Sequence, residues 1–257
     1  PEQQSYVTTA KDSADSLLSL INDILDFSKI EAQRLELSEK DFALDEMIDS
    51  VCRSAAIKAH EKGLELICDY ASDVPAAING DALRLRQILT NLVGNAIKFT
   101  AMGEVILSIK LVNEDEDYVE LTFSVDDTGI GIPKEKQATI FDQFTQADSS
   151  TTRKYGGTGL GLTISKLLVE KMEGQIGVSS TGQQGSSFWF TIRVKRANLS
   201  RTNCDTELKD SSVLIVDDNA TNRFILSKRL RQWGVNVTEA ISATEASKLL
   251  EKESKPN

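Results

Sequence analysis

Asn91-Leu-Val-Gly-Asn95-Ala-Ile-Lys98-Phe-Thr100 is the stretch on which the fold turns. It continues a helical pattern that opens at Asp81, so a long helix is expected over 81–99. Asn91 and Asn95, four apart, then share one face, with Lys98 close to it. A carboxamide oxygen is a ligand for Mg²⁺, a hard cation often shared with phosphates, and a lysine beside it can neutralise a phosphate oxygen. Taken alone, the same residues suit a polar helix surface.

Two further segments change that balance. Asp127-Thr-Gly129-Ile-Gly131-Ile-Pro133 follows an alternating strand, Leu121-Thr-Phe-Ser-Val125. Its glycines permit turns and close approach of a ligand. An ionised carboxylate only accepts hydrogen bonds, so Asp127 suits the exocyclic amine of adenine and disfavours the carbonyl of guanine. Gly156-Gly-Thr158-Gly159-Leu160-Gly161-Leu162 leads into another helix, and exposed amides at such a start bind phosphate. No Gly-Lys-Ser/Thr follows, which excludes a P-loop, and Gly157-x-Gly159-x-Gly161 has the wrong spacing for a dinucleotide fingerprint. The polar stretch between them, 141–155, suits a lid over a nucleotide. In this order and spacing, the three segments describe one ATP pocket.

Composition narrows the alternatives. The chain has 257 residues and a formal net charge of -10, which argues against general nucleic-acid binding. Its hydrophobic content of 40% and charged content of 26% are those of a globular protein. No apolar run approaches the roughly 18 residues of a membrane span, no signal peptide opens the chain, and no direct membrane contact by this segment is expected. Cys52, Cys68 and Cys204 form no C-x-x-C pair, so reduced cytoplasmic thiols are expected rather than zinc.

Around the pocket, helices are expected over about 2–32, 43–62 and 162–172, and strands over 64–70, 103–112, 118–126, 175–179 and 187–194. The fold class implied is α+β, a two-layer α/β sandwich preceded by a long helix. The opening helix carries an apolar stripe through Ala14, Leu17, Ile21 and Ile24. That stripe suits packing on its own domain and an inter-subunit bundle equally well. Residues 198–211 read as a polar linker. After it, Val213 to Val216 reads as a buried strand, followed by Asp217-Asp218-Asn219, a helix from about Thr221 to Trp233 stopped by Gly234, a second strand and a second helix. This βαβα start of a parallel sheet has too few strands to bury both faces.

The chain resembles the catalytic and ATP-binding domain of hybrid sensor histidine kinases, on the fold shared with gyrase-type ATPases. Residues 91–100 resemble the N box, 127–133 the G1 box, Ile140-Phe-Asp-Gln-Phe144 the F box, 157–162 the G2 box and 181–188 the last glycine-containing box. The resemblance implies that Asn95 ligates Mg²⁺, Asn91 lines the phosphate side and Lys98 contacts phosphate, as the catalytic set. It implies that Asp127 binds adenine, while Gly129, Gly131, Gly157, Thr158, Gly159, Leu160 and Gly161 shape the pocket and lid, bordered by Arg153 and Tyr155.

It also implies four regions: 1–34, the second helix of a dimerisation and histidine-phosphotransfer domain; 39–197, the ATP-binding domain; 198–211, the linker; and 212–257, the start of a flavodoxin-like receiver, with Asp217 and Asp218 as Mg²⁺ ligands. The implied cofactors are ATP and Mg²⁺. The implied partners are a second copy through the phosphotransfer helices, and receiver or phosphotransfer domains. The implied location is cytoplasmic, with membrane anchoring of a longer parent left open. His60, the one histidine, lies in Lys58-Ala-His-Glu-Lys-Gly63, outside the phosphoacceptor context of the family. The chain is therefore expected to carry the donor half of phosphotransfer and not to phosphorylate itself. A gyrase-like ATPase and a non-catalytic nucleotide-binding scaffold are the alternatives.

Overall fold

The computed structural model describes residues 2–142, 159–182, 184–197 and 209–253. At the centre, β4 (Glu104–Glu114) and β5 (Tyr118–Asp127) form an antiparallel hairpin. Val105, Leu107 and Ile109 on β4, and Val119, Leu121, Phe123 and Val125 on β5, are all 0% exposed. Strand geometry puts alternate residues on one face, and that face is the core. Burying one such side chain stabilises the fold by about 1.5–3 kcal/mol.

The sheet order is β1-β3-β7-β5-β4-β2, with β6 also paired to β7. The other strands are β1 (Lys40–Ala43), β2 (Glu65–Tyr70), β3 (Ala77–Gly80), β6 (Ile176–Ser180) and β7 (Ser186–Arg196). Among these pairings only β2–β4 is parallel. Against one face lie α2 (Leu44–Glu61), α3 (Ala82–Phe99) and α5 (Gly161–Lys171). A short helix, α4, covers Lys134–Gln137. On α3, Leu85, Ile88, Leu89, Leu92, Val93 and Ala96 are buried, the three-four spacing of one helix face. The Phe123 and Phe190 rings stack in the core with centroids 4.7 Å apart. This is the expected two-layer sandwich.

Strands β1 and β3 are additions to the sequence expectation. Helix α1 (Glu2–Glu31) has the expected length. Its stripe is open: Leu17, Ile21 and Ile24 are exposed, and among its described side chains those of Phe27 and Ile30, at its end, join the core. There Arg84 pairs with Asp26 at 2.6 Å and Gln87 donates to the same oxygen at 3.0 Å. Cys52 and Cys68 are free thiols. A hydrogen bond with Cys52, together with burial, pushes the Cys68 thiol up. Cys204 lies outside the described residues. No helix among the described residues is long and apolar enough to cross a membrane.

Beyond the sandwich, β8 (Ser212–Val216), α6 (Ala220–Gln232), β9 (Asn236–Ala240) and α7 (Ala243–Glu253) form a βαβα unit with β8 and β9 parallel. Gly234 closes α6 with a left-handed φ of 76°. The expectation of a buried strand over 213–216 needs correction: Ile215 is buried, but Val216 is 47% exposed. A two-stranded sheet lacks the neighbours that would cover the rest.

Candidate nucleotide-binding site

The described parts of the three segments singled out in the sequence meet along the C-terminal half of α3. Asp81 caps that helix, its carboxylate accepting the Arg84 N–H at 3.0 Å. Ten and fourteen residues on, Asn91 and Asn95 lie on one face, and Asn95 Nδ2 donates to Asn91 Oδ1 at 3.4 Å. Asn91 Nδ2 in turn donates to Ser165 Oγ on α5 at 2.9 Å. A Cβ on Gly161 would stand 2.5 Å from Asn91 Oδ1, so the start of α5 approaches α3 as only glycine permits.

Asp127 ends β5, where it pairs with both Val105 and Ser186. Its Oδ1 accepts the Gly129 N–H at 2.8 Å. Burial raises its pKa above the ordinary carboxylate value, opposed by the backbone donors of Gly129 and Ser186 and reinforced by Asp126. This is a partly desolvated acceptor whose second oxygen suits a ligand amine. A Cβ on Gly129 would meet Phe99 O at 2.6 Å, which ties the loop to the end of α3. Gly131 continues the loop in the left-handed region.

Lys98 lies in the last turn of α3, and burial lowers its pKa. Its Nζ is 5.0 Å from the Phe99 ring centroid. Gly159 leads into α5, and the Leu160 side chain is buried in the core at the helix start. Ile140 and Phe141 are buried too, Phe141 packing edge-on against Phe188 at 6.4 Å. The expected lid, and Arg153, Tyr155, Gly157 and Thr158 with it, fall outside the described residues, apart from Phe141 and Asp142 at its start.

Sequence reasoning missed the braces. Ser165 holds Asn91, and its signal was its place one turn after Gly161 on the same helix face. Ser180 Oγ accepts the Ile132 N–H at 2.9 Å and donates to Gly185 O at 2.7 Å. Gly185 N–H donates to Gly129 O at 2.8 Å, so the last glycine-containing turn supports the Asp127 loop. His60 is exposed in the last turn of α2.

Asp217 and Asp218 stand apart from this pocket, after β8. Asp217 Oδ1 accepts the Asn219 N–H at 2.8 Å, and Asp218 is exposed. Among the described residues no group of three or more His, Cys, Asp or Glu side chains is placed to hold a metal ion.

Comparison with known proteins agrees with this geometry. Residues 80–196 match the histidine kinase-, DNA gyrase B- and HSP90-like ATPase family, and residues 1–33 match the His kinase A phosphoacceptor domain. The sensor histidine kinase GacS of Pseudomonas protegens is 44% identical over 93% of this chain and 26% of its own length. Hybrid signal transduction histidine kinase K of Dictyostelium discoideum is 37% identical over 98% of this chain and 22% of its own. The chain thus spans about a quarter of the length of these curated relatives. Among solved structures, full-length ShkA in complex with AMPPNP superposes with a TM-score of 0.77 at 36% identity, over 97% of this chain and 50% of that one.

Proposed function

Because the chain belongs to the sensor histidine kinase family, as its ATP-binding catalytic part, we propose that it binds ATP with Mg²⁺ between α3, α5 and the loop after β5, and donates the γ-phosphoryl group to a histidine in a phosphorelay. The observation that carries this reading is Asp127: a half-buried carboxylate at a strand end, oriented by Gly129, whose loop meets the end of the helix that bears Asn91, Asn95 and Lys98. ShkA, with AMPPNP bound, supports the choice of nucleotide.

In this reading Asp127 accepts the adenine amine, and Gly129 and Gly131 let the base approach the backbone. Asn91 and Lys98 face the phosphates, with Gly157, Thr158, Gly159 and Gly161 closing over them. Asn95 offers a carboxamide oxygen to Mg²⁺, the other end of that amide being turned to Asn91. A neutral oxygen donor fits a cation whose other ligands are phosphate oxygens and water, and that cation would supply charge neutralisation. An imidazole nitrogen then forms the new bond to the γ-phosphorus as the bond to the β–γ bridging oxygen breaks and ADP leaves. The protein's part is positioning and charge stabilisation.

His60 is the one histidine of the sequence, and its place in the last turn of α2 supports an acceptor outside these 257 residues; in this reading the chain does not phosphorylate itself. The exposed stripe of α1 supports pairing with a second copy in the parent protein, in its cytoplasmic part. Residues 212–253 support a receiver start, with Asp217 and Asp218 as a cation-binding pair completed by further residues.

Calorimetric titration with ATP, with and without Mg²⁺, tests the pocket in the chain and in Asp127→Asn. The expected result is Mg²⁺-assisted binding weakened at least about tenfold by the substitution, the size of one lost charge-assisted bond to a ligand amine. Absence of binding by the parent chain sinks the proposal, and a stable phosphohistidine on it sinks the placement of the acceptor.

A further inference from the structure

On the sheet face opposite the helices most side chains are half-buried or exposed, and at its β2–β4 end a helix lies against it. There Glu65, Ile67 and Asp69 of β2, and Glu104 of β4, alternate with the residues that face the core. Helix α6 lies across them. Glu104 accepts two hydrogen bonds from its first turn, Asn219 Nδ2 to Oε2 at 3.1 Å and Thr221 Oγ1 to Oε1 at 2.9 Å. Glu65 Oε2 accepts from Asn222 Nδ2 at 3.4 Å, and Lys228 Nζ stands 3.6 Å from Asp69 Oδ1. Ile67 is 4% exposed yet belongs to no part of the main core, as expected for a side chain covered from this side. Carboxylates at the start of a helix are also favoured by its dipole.

Glu104 has a second set of contacts through its backbone. Its N–H donates to Thr128 Oγ1 at 3.0 Å, and its carbonyl accepts the Thr128 N–H at 3.2 Å. Thr128 directly follows Asp127. One residue therefore holds the loop behind the adenine-binding carboxylate with its main chain and the start of α6 with its side chain. At the far end, Asn219 N–H is held by Asp217 Oδ1, so the docking asparagine and the acidic turn move as one hydrogen-bonded unit.

We propose that Glu104 couples the 212–253 unit to the nucleotide pocket: the unit docks in cis on the β2–β4 face and, while docked, holds the Asp127–Thr128 loop in its binding geometry. The coupling rests on the ATP reading above. Because linkage is reciprocal, nucleotide must tighten docking by the factor by which docking tightens nucleotide.

The test uses the whole chain and Asn219→Asp. Aspartate caps a helix as well as asparagine does, so α6 persists, but its charge faces the Glu104 carboxylate. Two quantities are read: amide exchange of 65–70 and 220–232, and AMPPNP affinity. The substitution is expected to speed exchange in both segments and to weaken AMPPNP binding about fivefold, the lower range of a coupling free energy between sites. Glu104→Gln in the same chain removes the repulsion and is expected to restore both, which a merely damaged helix would not do. In the parent, AMPPNP is expected to slow exchange over 220–232 by the same factor. Faster exchange with an AMPPNP affinity within about twofold of the parent overturns the coupling. Unchanged exchange overturns the docking. A parent chain that binds no AMPPNP overturns the ATP reading itself and the coupling with it.

Discussion

The sandwich and the βαβα unit that follows it are built from similar sequence and end in different states. On β4, Val105, Leu107 and Ile109 are 0% exposed, while on β8 and its neighbours Val216, Phe224, Ile241 and Leu250 are 47%, 66%, 56% and 52% exposed. The apolar residues of β4 belong to a core that three helices close. Those of the βαβα unit have two short strands, one another and, through α6, one patch of β2 to pack on. An apolar pattern thus says that a residue can be buried, whereas burial itself is decided by how many layers the chain supplies. The difference predicts two separable stabilities in one molecule.

The widest separation is expected in the cores. Phe123→Ala removes a ring stacked on Phe190, and should lower the stability of the main unfolding transition by about 3–5 kcal/mol. Ile215→Ala, in a thinner core, should cost about 2 kcal/mol. That loss should appear as faster amide exchange over 212–253, with the main transition in urea nearly unmoved. Equal shifts of the main transition by both substitutions would make the two units a single cooperative body and break the comparison.

A smaller effect separates the joints. Helix α1 meets the sandwich through Asp26 and Arg84, whose side chains are only 14% and 16% exposed, whereas Lys228 at the α6 joint is 40% exposed. Arg84→Met strands the Asp26 carboxylate and should cost about 2 kcal/mol. Lys228→Met should cost well under 1 kcal/mol, as an exposed pair does. The Asp26 joint also has a pH signature. Burial raises its pKa, but the hydrogen bonds from Arg84 and Gln87 and the charges of Arg84 and Lys29 outweigh that and leave it below the ordinary value. A carboxylate depressed in the folded state adds stability above its unfolded pKa of about 3.9 and loses it as pH falls through the folded value. Acid titration from pH 5 to pH 2 should therefore destabilise the parent below about pH 4, and Arg84→Met less steeply. Equal acid profiles would remove the ion pair from the α1 joint.

What could be read in advance follows the same division. The β4–β5 hairpin was legible because Val105, Leu107, Ile109 and Leu121, Phe123, Val125 alternate, and α3 because its apolar residues recur at helical spacing from a capping Asp81. Strands β1 and β3 were not, because Lys40–Ala43 and Ala77–Gly80 are four residues each, with little alternation, and are held mainly by backbone pairing at a sheet edge. In the candidate site, the meeting of Asn91, Gly161 and the Asp127 loop on α3 was legible because their chemistry is uncommon at that spacing. Ser180 was not, since a serine that braces a loop across 48 residues, as it does Ile132, carries no local pattern, and Ser165 had only its place one turn after Gly161 to mark it. The openness of α1 was equally hidden, because a stripe records a capacity for contact and not its partner.

The finest test lies in the helix starts, where similar local chemistry sits in the two units. Asp81 accepts the Arg84 and Ser38 N–H groups at 3.0 and 2.9 Å. At α7, Ser242 Oγ accepts the Glu245 N–H at 3.3 Å, and Glu245 reaches back to the Ile241 N–H at 2.8 Å, close to a capping box. Removing either cap, by Asp81→Ala or Ser242→Ala, should cost about 1 kcal/mol locally. Helix α3 cannot open without exposing Leu85, Ile88 and Leu89, all at most 1% exposed, so its loss must appear in the main transition. Helix α7 has Ala246 as its buried apolar anchor and Leu250 half open, so its loss should be taken up by fraying. Exchange over 243–251 should rise about fivefold in Ser242→Ala, the equivalent of that free energy, while the urea midpoint stays within error. If Ser242→Ala moves the midpoint as far as Asp81→Ala does, α7 opens only with the sandwich, and two-unit stability gives way to one.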